Sequence, residues 1–186
     1  AASNATTATG ALTIGDTGSA TADSLTINNK AINTTTGANV DVIAGQNITS
    51  SGYENVTYNS GSGTGNIEND IGVFTITGDS TSTAQTLTIT GTNAVDIDTS
   101  LVTNTSGLLT VDASALTAQA SGTTTLKIDS TSHGTSGTAS ITGSAGEDII
   151  TIGNYASTVV GGGEDDSITG GTQADNLQGD AGNDTI

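Results

Sequence analysis

The sequence predicts an all-β protein, a parallel β-solenoid with irregular N-terminal rungs followed by a regular β-roll. Short runs of β-branched residues alternate with Thr or Ser, which is typical of strands with one buried face. Glycine and aliphatic residues recur every nine positions near the end of the chain, and a fixed period is typical of repeat folds. Large apolar residues are scarce, with one Phe, three Tyr and neither Trp nor Met in 186 residues. A solenoid tolerates this scarcity because it grows by stacking thin layers.

Residues 1–133 are predicted to form the irregular part, which is rich in Thr and Ser and has no strict repeat. Candidate strands recur at intervals of about a dozen residues between Gly, Ser and Asn, which suits either a solenoid with irregular rungs or a β-sandwich. We favour the solenoid, and a short helix is an alternative at residues 114–120. The predicted strands are ALTIG (11–15), DSLTIN (23–28), VDVIA (40–44), YENVTY (53–58), GVFTIT (72–77), TLTIT (86–90), AVDID (94–98), LLTVD (108–112) and TLKID (125–129).

Three of these strands end in an aspartate that Ser or Thr follows closely, namely Asp98, Asp112 and Asp129. An aspartate in this position can accept a hydrogen bond from the main chain two residues later, which forms an Asx turn. We therefore predict Asx turns at the points where the chain leaves the sheet.

Residues 134–186 form six successive nine-residue units, of which the last lacks one residue. Glycine reaches the backbone angles of a tight turn without steric cost. The eighth position would point inward from a very short strand, and two units would make one coil of eighteen residues. The eighth position is aliphatic in every unit: Ile141, Ile150, Val159, Ile168, Leu177 and Ile186.

The units GSAGEDIIT, GGGEDDSIT and GDAGNDTI resemble the RTX nonapeptide G-G-x-G-x-D-x-U-x, where U is a large aliphatic residue. The resemblance covers Gly134 to Ile186 and is specific from Gly143 onward. It implies a calcium-binding parallel β-roll for this segment. The units at Gly134 and Ile152 are degenerate, and glycine is replaced at Ser144, Glu164, Gln173 and Asp180.

Stacking of coils would sort the sixth-position residues into two edges. Carboxylates stacked in register repel each other unless a cation lies between them. Calcium suits this gap, because it binds about six to eight oxygens and accepts backbone carbonyls. We therefore predict a calcium-bearing edge and a largely silent one. The first edge would carry Asp148, Asp166 and Asp184, and the second Ala139, Ser157 and Asp175.

The RTX resemblance implies ligands for two calcium ions. Each ion would lie between two stacked turns and take the sixth-position aspartates together with carbonyl groups from positions one to four. Asp175 would bind only if a further coil supplied a partner. The first ion would use Ser144, Gly146 and Asp148 with Gly161, Gly163 and Asp166, and the second Gly162, Glu164 and Asp166 with Gly179, Ala181 and Asp184.

The composition points to cations as partners. The chain has 2 basic and 19 acidic residues, a formal charge of −17 at pH 7, which repels nucleic acids and anionic membranes. No apolar run approaches the roughly 20 residues of a membrane span, so we expect no membrane-spanning segment. The chain has no cysteine, which excludes disulfides and thiolate metal sites.

The segments VDIDTSLVT, TVDASALTA, LKIDSTSHG and SSGYENVTYNS are similar to the Thr- and Ser-rich repeats of bacterial surface-layer proteins with RTX calcium sites, such as those of Caulobacter. This resemblance implies a structural, calcium-stabilised extracellular protein that assembles into a layer on the bacterial cell surface and is not an enzyme. The alternative is the RTX portion of a secreted adhesin, toxin or hydrolase exported by type I secretion.

Calcium and further copies of the same chain, in an oligomer or lattice, are the expected partners. A cell-surface polysaccharide could be bound through regions outside this sequence. No signal peptide is visible and the last residue falls inside a repeat, so we expect the sequence to be a piece of a longer protein. The acidic chain would stay expanded where calcium is scarce and fold outside the cell, because ion binding adds to the free energy of folding.

Overall fold

The computed structural model describes residues 11–16, 23–29, 45–61, 68–77, 84–102, 107–132 and 137–186, apart from the side chains of 98–102. Within these ranges the chain is all-β, as predicted, with fourteen strands and no helix. The described part of the chain therefore contains no helix that could cross a membrane.

The strands form two seven-stranded sheets in which all neighbouring strands are parallel. Successive strands belong to alternate sheets, an arrangement consistent with a β-roll, and we call one strand of each sheet with its connections a coil. The first sheet contains, in order, β1 (Leu12–Gly15), β3 (Gln46–Ser51), β5 (Glu68–Thr77), β7 (Ala94–Val102), β9 (Leu126–Asp129), β11 (Asp148–Thr151) and β13 (Ser167–Thr169). The second contains β2 (Ser24–Asn28), β4 (Asn55–Asn59), β6 (Ala84–Gly91), β8 (Leu108–Leu116), β10 (Thr138–Thr142), β12 (Ala156–Gly163) and β14 (Asn176–Ala181).

Among the described strands, coils of eighteen residues occur only at the C-terminal end. Ile150 of β11 pairs with Ile168 of β13, eighteen residues later, as the nine-residue repeat predicts. Upstream, paired residues are further apart, by 22 residues between Ile128 and Ile150 and by 36 between Leu12 and Ile48. The pairs β8–β10 and β9–β11 place strands from both segments in the same two sheets.

The core lies between the two sheets and follows from the alternation in the sequence. In β6, for example, Leu87 and Ile89 are completely buried while the threonines between and beside them are only half-buried. Tyr58 and Phe74 contact each other edge to face, with ring centroids 6.2 Å apart and an interplanar angle of 76°. Inward-facing aliphatic side chains, together with a few aromatic rings, fill the interior of each thin layer.

A buried amide network lies in the interior of the upstream coils. Asn69 is 1% exposed, and its Nδ2 donates to Ser60 O at 3.3 Å and to Ala94 O at 3.1 Å. Its Oδ1 accepts hydrogen bonds from Tyr58 Oη at 3.1 Å and from Asn29 Nδ2. Asn69 is thus buried with both ends of its amide engaged, which removes the usual cost of burying a polar group.

Most of the predicted upstream strands are present, although their ends differ. β3 was not predicted, and neither was the first half of β5, because polar residues in QNITSS and END interrupt the apolar alternation. The VDVIA segment lies outside the described residues. The helix alternative at residues 114–120 is wrong, since β8 continues to Leu116 and no helix follows it.

Two of the three predicted Asx turns are confirmed. Asp112 Oδ1 accepts a hydrogen bond from Ser114 N at 3.0 Å, and Asp129 Oδ1 accepts one from Thr131 N at 2.9 Å. The side chain of Asp98 lies outside the described part of the chain.

Candidate calcium site

The sixth-position aspartates of the repeat stack at one edge of the molecule and form the first-edge row, Asp148, Asp166 and Asp184. Asp148 N donates to Asp166 Oδ1 at 2.8 Å, and Asp166 N donates to Asp184 Oδ1 at 3.0 Å. Asp166 and Asp184 therefore each accept the main-chain N–H of the residue eighteen positions earlier. One oxygen of Asp166 and one of Asp184 thus join adjacent coils.

Asp148 is engaged mainly within its own turn. Its Oδ2 accepts a hydrogen bond from Ser144 N at 2.5 Å, and its Oδ1 accepts one from Ser144 Oγ at 2.7 Å. The same hydroxyl accepts a hydrogen bond from Gly146 N at 3.1 Å. Ser144, which stands where the RTX pattern has glycine, therefore closes this turn through its side chain.

Asp166 has one oxygen without a hydrogen-bond donor. The residue is 3% exposed, and its Oδ2 is buried with no hydrogen-bond partner. A Cβ at Gly161 would overlap this oxygen, so Asp166 Oδ2 lies inside its own turn, where only glycine leaves room for it. A buried carboxylate oxygen is costly unless a donor or a cation compensates it. The donor set at this position therefore fits a hard cation such as calcium.

Glycine brings carbonyl groups of stacked turns into the same region. Gly162 has a φ of 127°, and a Cβ at this position would overlap Ser144 O of the preceding coil. Gly182 approaches Glu164 O in the same way. Two of the predicted carbonyl ligands, those of Ser144 and Glu164, thus face the neighbouring turn and not only their own.

The two most buried carboxylates have raised pKa values. Burial raises the pKa of Asp148 to about 7, and hydrogen bonds from Ser144 counteract this only in part. Burial, together with the negative charge of Asp184, raises the pKa of Asp166 to about 6, although the hydrogen bond from Asp148 N opposes this rise. Without a cation, both carboxyl groups therefore retain protons much closer to neutral pH than an exposed aspartate does.

The opposite edge carries the second-edge row, Ala139, Ser157 and Asp175. Ser157 N donates to Asp175 Oδ1 at 2.9 Å, and Gly171 N donates to Asp175 Oδ2 at 3.1 Å. This part of the row has a single carboxylate, and donors engage both of its oxygens. It offers a cation less than the first-edge row does.

The other predicted ligands are distributed unevenly around the first-edge row. Gly146 O accepts a hydrogen bond from Ser144 Oγ at 3.2 Å within its own turn. Gly163 and Ala181 are register partners in β12 and β14, whereas Gly179 O approaches Gly161. No cluster of three or more His, Asp or Glu side chains that could hold a metal exists among the described residues. A calcium site in these turns would therefore depend on carbonyl oxygens as well as the aspartates.

Sequence reasoning missed two side-chain contacts beside these turns. Asp165 Oδ1 accepts hydrogen bonds from Asn183 N at 2.7 Å and from Asn183 Nδ2 at 3.3 Å. These residues are eighteen positions apart at position five of the repeat, so the period itself could have revealed the pair. Glu147 Oε1 accepts a hydrogen bond from Gly122 N of the preceding coil. No regular spacing in the sequence predicts this contact.

Comparison with protein-family models supports the RTX resemblance. Residues 133–151 and 152–186 match the RTX calcium-binding nonapeptide repeat, in four copies. Neither the curated proteins nor the solved structures contain a significant match to the chain. The matched residues include every member of both rows, and RTX repeats bind calcium. The C-terminal part of the chain is therefore an RTX calcium-binding segment.

Proposed function

We propose that the chain is part of an extracellular parallel β-solenoid whose C-terminal coils bind calcium, and that it has a structural task in a self-assembling bacterial surface layer. The observation that carries the calcium part is the buried Asp166 Oδ2, which has no hydrogen-bond donor within a row of stacked carboxylates. Proteins with RTX repeats are typically secreted, which supports the extracellular setting. The proposal assigns the chain no catalytic step.

The strand order supports a solenoid. Successive strands alternate between two parallel sheets along the whole described chain, which is what winding in successive coils would produce. In this proposal residues 1–133 form the irregular segment and residues 134–186 the RTX roll. A sandwich would instead be built from antiparallel strands.

Calcium would act as a neutralising link between the stacked turns. Asp148, Asp166 and Asp184 would hold it together with carbonyl oxygens, including those of Ser144 and Glu164. Bound calcium would supply positive charge and would bind several oxygen atoms of these turns at once. Where calcium is scarce, repulsion among the acidic residues would keep this segment expanded, and export would precede folding.

The outer face of the second sheet supports close packing between copies. Thr26, Thr57 and Thr88 are register partners across β2, β4 and β6 and alternate with inward residues. Their hydroxyl side chains are short, carry no charge and are at least partly exposed. Such a surface can approach another copy without the repulsion that the net charge of the chain would otherwise cause.

Electron microscopy of the purified chain tests the assembly. With millimolar calcium we expect two-dimensional arrays or filaments, and with chelator or with magnesium at the same concentration we expect none, because magnesium prefers a smaller octahedral site. Single monomers in calcium at every protein concentration would contradict assembly by this chain.

An RTX portion of a secreted adhesin, toxin or hydrolase is the second candidate. It accounts equally well for the calcium-binding repeat. Such a segment should bind calcium and fold as a monomer, so the same microscopy experiment separates it from the surface-layer protein. Circular dichroism with and without chelator tests the calcium-dependent folding that both candidates share.

A further inference from the structure

The second-edge row extends far beyond the nine-residue repeats. Ala139 pairs with Leu109 in β8, and Leu109 pairs with Gln85 in β6. The residues that follow Gln85, Glu54 and Asp23 pair across β6, β4 and β2. Gln85, Glu54 and Asp23 therefore occupy the same position in three successive upstream coils. Polar side chains stand there in place of the apolar Leu109 and Ala139.

Glu54 contacts the preceding coil in the same way as the calcium-site aspartates do. Asp23 N donates to Glu54 Oε2 at 3.0 Å across a separation of 31 residues. The equivalent hydrogen bond in the first-edge row joins Asp148 N to Asp166 Oδ1 at 2.8 Å. Glu54 is 6% exposed. It is thus a buried carboxylate on the main-chain N–H of the coil before it, although no nine-residue repeat surrounds it.

Gln85 supplies the independent evidence for a ligand at this position. Its side chain is completely buried, and neither Oε1 nor Nε2 has a hydrogen-bond partner. Leu109 fills the equivalent position in the next coil, so packing alone does not require an amide here. A buried amide without partners is costly, whereas an amide oxygen is an ordinary calcium ligand.

We propose that Asp23, Glu54 and Gln85 form a further binding site for a divalent cation of the calcium class, outside the RTX repeats. Neighbouring parallel strands lie about 4.8 Å apart, so the three inward oxygen-bearing side chains follow one another at a spacing that a cation can bridge. Two carboxylates and an amide oxygen are hard donors. Water can supply the rest of the roughly six to eight oxygen ligands that calcium takes.

The decisive experiment counts bound calcium in the full chain by equilibrium dialysis and elemental analysis. Gln85→Leu and Glu54→Gln should each bind one ion fewer per chain than the wild type. Ser50→Ala is the matched control, because Ser50 is also completely buried with an unpartnered Oγ but lies elsewhere, and it should bind as many ions as the wild type. Circular dichroism checks that each variant is folded.

Thermal unfolding with and without calcium gives a second readout. Gln85→Leu should unfold at a higher temperature than the wild type in chelator, because Leu removes the unpartnered amide, and should gain less from added calcium. An equal number of bound ions in Gln85→Leu and wild type, with an equal gain from calcium, would overturn the proposal and leave Gln85 as an amide that holds water. If Glu54→Gln does not fold, Gln85→Leu decides alone.

This site can fail independently of the RTX sites. Asp166→Asn should reduce the number of ions bound by the RTX segment and leave the ion at Glu54 in place. Loss of calcium in Asp166→Asn together with no loss in Gln85→Leu would therefore contradict the new site alone.

Discussion

The same inward position at the first edge is filled in two ways along the molecule. In residues 137–186 it holds the aspartates of the first-edge row. Upstream, the register continues from Asp148 to Leu126, then to Val95 and then to Asn69. Leu126 and Val95 are buried apolar residues, and Asn69 is buried with its amide engaged.

The comparison shows that one strand arrangement can be stabilised with or without a ligand. The upstream residues at this position pack against the core or form hydrogen bonds within the protein, so they need nothing from the solvent. The first-edge row instead contains buried carboxylates with raised pKa values and one unpartnered oxygen. We therefore expect the two regions to differ in their response to calcium, although their strands belong to the same sheets.

Removal of calcium should separate the two regions most strongly. In excess chelator, residues 137–186 should lose protection of their amides, while residues 94–102 and 107–132 retain most of theirs. Two ions, each at about 100 times its dissociation constant, stabilise the folded state by roughly 5 kcal/mol together. Hydrogen exchange measured by mass spectrometry on the full chain tests this expectation. Equal loss in both regions would show that the upstream coils also depend on the RTX ions.

Substitution of the central aspartate should have the next largest effect. Asp166 belongs to both predicted ion sites, so Asp166→Asn should remove most of the calcium-dependent stability, roughly 3 kcal/mol or more. An asparagine can still accept the hydrogen bond from Asp148 N. Denaturant unfolding with and without calcium measures the difference.

Asp175→Asn is the matched control for Asp166→Asn. Asp175 also stands at position six and accepts a main-chain hydrogen bond from the coil before it, but it belongs to neither predicted ion. Its substitution should leave the response to calcium nearly unchanged. A similar loss in both variants would mean that the two edges do not differ in the way their carboxylates suggest.

The pH dependence without calcium should have an unusual sign. Burial raises the pKa of Asp148 to about 7 and that of Asp166 to about 6 in the folded state, against about 3.9 for an unfolded aspartate. The folded state therefore binds protons more tightly. The resulting stability is fully present below about pH 4 and is lost as the pH rises through about 6 to 7, with a slope of about 1.4 kcal/mol per pH unit for each carboxyl group.

Urea unfolding in chelator measures this dependence. We expect residues 137–186 to be more stable at about pH 4.5 than at about pH 7.5. Calcium should reverse the trend, since the ion competes with protons for the same oxygens. The double variant Asp148→Asn and Asp166→Asn should have a much flatter profile in chelator. A wild-type profile as flat as that of the double variant would contradict the assignment of the raised pKa values to these two groups.

The sequence predicted the regular region better than the irregular one for a physical reason. A constant period fixes which residues stack, so the pairing of Ile150 with Ile168 followed from counting. Upstream, the connections differ in length, and alternation identifies a strand without identifying its partner. The 36-residue separation of Leu12 and Ile48 could not be predicted from either segment alone.

The candidate site divides in the same way. The first-edge row follows from the period, but the bonds from Ser144 to Asp148 depend on a substitution within the repeat and on its side-chain rotamer. Glu54 and Gln85 were missed because no motif in the sequence marks the 31-residue separation that brings Asp23, Glu54 and Gln85 into register. Side-chain chemistry at an irregular position becomes interpretable only when the pairing is known.

The smallest expected effect concerns backbone conformation, in which the two regions also differ. Among the described residues upstream of 137, positive φ angles in the left-handed range occur at glycines, whereas Glu164 and Asp180 have φ angles of 64° and 69°. A residue with a Cβ pays roughly 1 kcal/mol or more for this conformation, and aspartate tolerates it better than glutamate through local hydrogen bonds. Glu164→Gly should therefore stabilise the calcium-bound protein by up to about 1 kcal/mol, after the entropy of glycine offsets part of the gain.

Glu164→Gln separates backbone strain from charge, because it removes the carboxylate and keeps the Cβ. Thermal unfolding in saturating calcium should show an increase of about 2 to 4 °C for Glu164→Gly, little change for Glu164→Gln, and a smaller increase for Asp180→Gly than for Glu164→Gly. If Glu164→Gln stabilises the protein as much as Glu164→Gly does, repulsion among acidic residues and not the left-handed backbone is the cost at this turn. The difference between the two regions would then be electrostatic throughout, and the glycines of the repeat would matter only where a carbonyl oxygen approaches them, as Ser144 O approaches Gly162.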